Sequence, residues 1–280
     1  MHLYIPKGIL KDFVESIAFL SEGGTGVAFQ RMYQAIIINM GPNFMVSDIY
    51  SASPQKKEHT DTIWINGKQD RPFMLESGGT TAMYAIGLKP GMLPYLASLP
   101  AIATNDLAVG AEHWTSKEIF NLRERLFECT DIHSGFLLIE EYLTGLLVKK
   151  DFHQLEKVQW LGRAIRTGTV EEICRTMGIT RKKLRSEMQH YFGGAAKNIQ
   201  GIIRFNNTLS AIANNRFQSL STLHIYYDQA HFINDFKARA GITPLQYQRL
   251  CRQYPAIVHT PNFIPLERET FLQFISSRLV

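Results

Sequence analysis

Between residues 181 and 189 the chain places Arg181, Lys182, Lys183, Arg185, Ser186 and Gln189 within about three helical turns. Leu184, Met188 and Phe192 recur every fourth residue through the same stretch, which marks one helical face for a core. Arg181, Lys182, Arg185, Ser186 and Gln189 are thereby left on the opposite face, with Lys183 at its margin. Arginine and lysine reach guanine edges or phosphate oxygens, and glutamine and serine bond bases or backbone from a helix in the major groove. A run such as RKKLR is more often only a solvated helix face, so the elements that position it decide its meaning.

Those elements are readable just upstream. Thr169 followed by Glu172 has the capping-box spacing, so a helix starts there, with Val170, Ile173 and Met177 at helical intervals. Gly178 can take the positive φ that ends this helix sharply, and Thr180 is a fair cap for the next. A capped helix, a glycine turn and a basic helix make a helix-turn-helix. About 50 residues on, YYDQAHFINDFKARAGITPLQY (226–247) reads as a short apolar stripe on a polar helix that ends in a glycine, a turn proline and an aromatic. Asp228 can cap it, Phe232 and Phe236 face inward, and Gln229, Ala230, His231, Ile233, Asn234 and Lys237 face outward. Gly241 and Pro244 then stop and turn the chain ahead of Tyr247.

This second stretch resembles the second DNA-reading half of the AraC/XylS transcription regulators, and TVEEICRTMGITRKKLRSEMQHYFG (169–193) resembles the first half. The position usually glycine between the helices of the second unit is Ile225 here, if Leu220 and Ser221 take the usual aliphatic and small-residue places. The resemblance implies double-stranded DNA as partner, with two recognition helices about 34 Å apart on one duplex face. A helix over 195–215, with Ile199, Ile202, Ile203, Leu209 and Ile212 inward, would hold that separation. DNA contacts are expected from Arg181, Lys182, Lys183, Arg185, Ser186 and Gln189 in the first unit and from Gln229, His231, Asn234 and Lys237 in the second. RNA polymerase and a second copy of the chain are further partners the family brings with it.

Charge divides in the same way. Residues 151–280 hold 17 Lys and Arg against 9 Asp and Glu, whereas residues 1–150 hold 13 against 16. The basic half is the half with the helix-turn-helix patterns. Three cysteines, Cys129, Cys174 and Cys251, lie far apart and argue for reduced thiols in a cytoplasmic protein, with Cys174 as filler between helices. Charged residues interrupt the first twenty positions, and Glu140 and Glu141 break the apolar run at 135–148, so neither a signal peptide nor a membrane span is expected.

Ahead of the basic half, AIIIN, FMVSDIY, DTIWI, PFMLES and TAMYAIGLK read as short strands of a small barrel or sandwich. The layout from YIPKGILKDFVESI through AIGLKPGMLPYLASLPAIATNDLAVGAEHW to FNLRERL looks like the sensor-type domain of one branch of the same regulators. His59, His113 and His133 are scattered with no HxH or HxxE spacing, so no metal, catalytic centre or cofactor is expected. A small-molecule effector is left open, since a small barrel can enclose one; Trp64, Phe73, Met74 and Tyr84 could line its pocket or simply fill the core. Two amphipathic helices follow, one carrying Ile119, Leu122 and Leu126, the other Phe136, Ile139, Leu143 and Leu147. A third, with Val158, Leu161 and Ile165, opens the DNA module.

The expected class is α+β: a β-rich, barrel-like unit over 1–150, an all-α tandem helix-turn-helix unit over 151–254, and a tail over 255–280. A DNA-repair alkyl transferase shares the helical module but needs a nucleophilic cysteine and a thiolate zinc site, for which residues 1–150 offer only Cys129. A protein-interaction adaptor that has lost its DNA role is the other alternative.

Overall fold

The computed structural model describes residues 2–21, 24–32, 34–51, 55–115, 117–148, 150–214 and 229–276. Asp228, Ile225, Leu220 and Ser221 lie outside the described residues, as does Tyr33. The protein is α+β. Its strands are β1 (His2–Tyr4), β2 (Val14–Leu20), β3 (Gly26–Ala28), β4 (Ala35–Asn39), β5 (Phe44–Ser47), β6 (Lys57–His59), β7 (Ile63–Asn66), β8 (Phe73–Ser77), β9 (Met83–Leu88), β10 (Ala108–Gly110) and β11 (Phe263–Ile264). They form a six-stranded sheet, β1-β2-β9-β4-β7-β10, and a five-stranded sheet, β11-β3-β8-β5-β6. The helices are α1 (Leu93–Leu96), α2 (Glu118–Phe127), α3 (Ile132–Leu147), α4 (Leu155–Ala164), α5 (Val170–Met177), α6 (Arg181–Phe192), α7 (Ala196–Ala213), α8 (Gln229–Ala240), α9 (Pro244–Gln253) and α10 (Arg268–Ser276).

The unbroken apolar run AIIIN has a direct cause. Side chains alternate along β4, so Ile36 and Ile38 join the helix-side core while Ile37 joins Phe44, Trp64 and Met83 between the sheets. A strand covered on both faces reads as continuous apolar sequence rather than alternation. The same alternation corrects two of the four pocket-lining expectations. Trp64 and Phe73 line the space between the sheets, but Met74 turns to the outer side, beside Val27, Phe236 and Tyr247. Tyr84 faces α3, where Gly135 leaves room for it: a Cβ there would stand 2.1 Å from the tyrosine hydroxyl.

One core runs from the helix-side face of the six-stranded sheet through α2, α3 and α4 into α5, α6 and the start of α7. A second joins Val27, Phe29 and Met74 of the other sheet to the end of α7, to α8 and α9, and to the carboxy-terminal tail. The α5–α6 pair and the α8–α9 pair therefore each share an apolar interior with one sheet of the amino-terminal part. Buried Leu and Ile positions in α2, α3 and α4 agree with the helical spacing, including Ile119, Leu126, Ile139, Leu147, Val158 and Ile165.

Candidate nucleic-acid interface

The first unit is built by local chemistry. Thr169 Oγ1 accepts from Glu172 N at 3.2 Å while Glu172 Oε2 accepts from Thr169 N at 2.8 Å, closing a capping box on α5. α5 ends at Gly178 with φ 61°, a left-handed conformation that costs glycine nothing. Thr180 caps α6 by accepting from Lys183 N. α6 closes at Gly193, φ 75°.

α6 buries Leu184, Met188 and Phe192 and turns Arg181, Lys182, Lys183, Arg185 and Ser186 to solvent, with Gln189 half-buried. The cations differ in their engagement. Arg181 pairs with Glu171 at 2.6 Å and Lys183 with Glu187 at 3.0 Å, whereas Lys182 and Arg185 enter no ion pair among the described residues. Lys182 and Arg185 can thus meet an anion without first breaking such a bond.

Sequence spacing missed Glu187, a buried carboxylate on the inward side of α6. It takes Lys157 of α4 at 3.1 Å, which ties α6 to α4, and Lys183 of α6 itself at 3.0 Å. Burial pushes its pKa up, but the hydrogen bonds and charges of the two lysines outweigh that and hold it below the ordinary glutamate value. A depressed folded value stabilises the fold above the unfolded glutamate pKa of about 4.3, and that contribution is lost as pH falls through the folded value. Glu187→Gln is expected to flatten the acid limb of thermal melting measured against pH; an unchanged limb would remove Glu187 from the account. No pattern of spacing distinguishes such a carboxylate from an exposed one, since its partner Lys157 comes from another helix, 30 residues away.

In the second unit α8 buries Phe232 and Phe236 and exposes Gln229, His231, Asn234 and Lys237. Ile233, expected outward, is half-buried against the second core. Gly241 has φ 71°, and Thr243 with Gln246 forms a second capping box at the start of α9, with Pro244 at its first turn. Tyr247 is fully buried; its hydroxyl donates to Pro261 O at 2.7 Å.

Both units are tied to the amino-terminal part by polar bonds. Asn105 Nδ2 donates to Gly193 O at 2.5 Å, at the end of α6. Lys68, 1 % exposed, ion-pairs with Asp70, whose other oxygen accepts from Asn198 of α7 at 3.4 Å. On α8, Arg239 binds Asp235 at 3.1 Å and reaches Gln30 Oε1 at 2.9 Å, passing over Gly201, where a Cβ would lie 2.3 Å from its guanidinium. That close passage explains a glycine inside α7.

Between the sheets lies a cavity of about 550 Å³ lined by Ile37, Phe44, Trp64, Phe73, Met83 and Phe263 among others. Arg31 Nε, Ser47 Oγ and His59 Nε2, from residues on its lining, are shut from solvent without a hydrogen-bond partner among the described residues. Burial pushes the His59 imidazole down, with Asp61 opposing, so it is neutral near pH 7. Among the described residues no three His, Cys, Asp or Glu side chains come together as a metal cluster, and no helix is long and apolar enough to cross a membrane. Cys174 is half-buried against the first core, as a filler would be.

No protein-family model and no curated protein matches the chain. Among solved structures, the chain is similar to ToxT from Vibrio cholerae O395, at 12% identity and a TM-score of 0.40, over 83% of this chain and 95% of that one. ToxT from the same strain bound to (E)-4-(8-methylnaphthalen-1-yl)but-3-enoic acid aligns at 14% identity and a TM-score of 0.43, over 84% and 97%. Similarity this distant leaves the functional reading to the chain's own side chains.

Proposed function

We propose that this protein is a sequence-specific, non-enzymatic DNA-binding transcription regulator of the AraC/XylS type, acting in the cytoplasm. The observation that carries the reading is the pair Lys182 and Arg185. Both are exposed and without an ion pair among the described residues, on a helix that is capped, follows a left-handed glycine and is tied to α4 through Glu187 and Lys157. Arg181, Lys183, Ser186 and Gln189 extend the first DNA face; Gln229, His231, Asn234 and Lys237 form the second, which carries less positive charge and grips more weakly. Residues 1–150 act as the sensing and assembly unit, residues 151–254 as the reader. A homodimer and contact with RNA polymerase complete the proposed assembly.

Control enters through the cavity. Its walls suit an apolar body, and the polar residues on its lining, Arg31, Asn66, Gln69 and Arg71, suit a hydrogen-bonding head group, so the effector is a small amphipathic molecule.

Selection of bound sequences from a random duplex pool tests the reading. A two-part motif with about ten-base-pair spacing is the expected result. If about six phosphates are neutralised, log affinity falls against log salt with a slope of about −5. Salt-independent partner binding with no affinity for any duplex would replace this reading by the adaptor.

A further inference from the structure

The carboxy-terminal tail is built into the sheet that walls the cavity. β11 pairs antiparallel with β3, Phe263 opposite Ala28 and Ile264 opposite Val27, and Phe29 N donates to Asn262 O at 2.9 Å. This pairing needs a bare backbone on β3: a Cβ on Gly26 would stand 2.4 Å from Ile264 O and 2.5 Å from the Phe263 ring. Phe263 itself lines the cavity.

The other side of the tail holds α8 and α9. Tyr247 of α9 donates to Pro261 O at 2.7 Å, and Gln246 Nε2 to Ile275 O at 2.8 Å. The Tyr247 ring packs on Phe29 of the barrel and on Phe236 of α8, with centroids 6.1 and 6.0 Å away. Ile257, Ile264, Leu266 and Phe271 fill the same core as Phe232 and Phe236. Arg268 at the start of α10 reaches back to Ser51 O at 2.7 Å. A two-residue strand joined by hydrogen bonds on one side and by a buried tyrosine on the other has little freedom to move alone.

We propose that residues 261–275 are a coupling strap: Phe263 registers what fills the cavity, and the tail carries its position to α9 and so to the second DNA-reading helix. The effector arm rests on the proposed function; the mechanical arm does not.

Hydrogen–deuterium exchange on the full chain tests it without DNA. Gly26→Val, which blocks β11 pairing, is expected to speed exchange about tenfold over residues 244–253 and 261–276 while leaving residues 181–192 as they are. Release of the tail with α9 unaltered overturns the strap. If circular dichroism shows Gly26→Val unfolded, Phe263→Ala decides: α9 exchange rises by about threefold, or the proposal fails. Val46→Trp, which fills the cavity from β5, is expected to change α9 exchange in the native background and not beside Phe263→Ala; the same change in both backgrounds overturns sensing by Phe263. On a selected two-part duplex, Gly26→Val should lose footprint protection of one half only, and protection of both halves would contradict the strap. Should the native protein bind no duplex, the regulator reading falls while the exchange result still decides the coupling.

Discussion

Arg185→Ala is expected to weaken binding to a selected duplex by about 1–3 kcal/mol, roughly 5- to 150-fold, and binding to a scrambled duplex far less. Arg185 is exposed and holds no ion pair among the described residues, so its guanidinium gives up no salt bridge on meeting DNA. Its fork matches the two acceptors of guanine in the major groove, and a lysine point charge would not restore that geometry. Arg181 is the internal comparison. It must leave Glu171 to reach a phosphate, an exposed pair worth at most about 1 kcal/mol, so Arg181→Ala should cost less. Gel-shift titration on both duplexes measures this directly; an equal loss on cognate and scrambled DNA assigns Arg185 to phosphate and moves base reading elsewhere.

Phe236→Ala should cost about 3–5 kcal/mol of stability, the largest effect expected of any single substitution here. The ring is 1 % exposed and meets Phe205 of α7 at 5.3 Å, Phe232 at 6.0 Å and Tyr247 at 6.0 Å between centroids. Its removal opens a cavity where α7, α8 and α9 meet, and the packed neighbours cannot all collapse into it. The same core includes Val27, Phe29 and Met74 of the five-stranded sheet, so the loss should appear in the unfolding of the amino-terminal part as well. Urea denaturation followed by tryptophan fluorescence checks it, because Trp64 and Trp114 lie in the amino-terminal part and the third tryptophan, Trp160 of α4, packs on the first core, so none belongs to the second unit. A midpoint shift confined to the second unit, invisible to those tryptophans, would mean that the shared core does not couple the two parts.

Helices were legible because their signals are local. The Thr169–Glu172 box, the left-handed Gly178 and the four-residue spacing of Leu184, Met188 and Phe192 each involve residues within a few positions of one another. Exposure of Lys182, Arg185, Gln229, His231, Asn234 and Lys237 follows from the same periodicity, since a helix that buries one stripe must present the other. Strand facing was less legible. Period-two alternation says which residues share a face but not which layer covers it, and that is why Met74 and Tyr84 left the cavity while Phe73 and Trp64 stayed.

The amino-acid order by itself determined the helix starts and stops, the apolar stripes, the basic exposed face and the strand-rich beginning, because caps, turns and periodicity act over one or two turns of chain. Tertiary structure alone decided that Glu187 is buried between two lysines, that Lys68 and Asp70 tie the barrel to α7, and that a two-residue strand from the tail completes the sheet around the cavity. The deciding contacts join groups far apart in the chain, as in Lys157 with Glu187, Asp70 with Asn198 and Val27 with Ile264. Such pairings depend on how whole layers dock: the burial that stabilises them comes from both partners at once, and neither partner's local sequence carries a mark of the other.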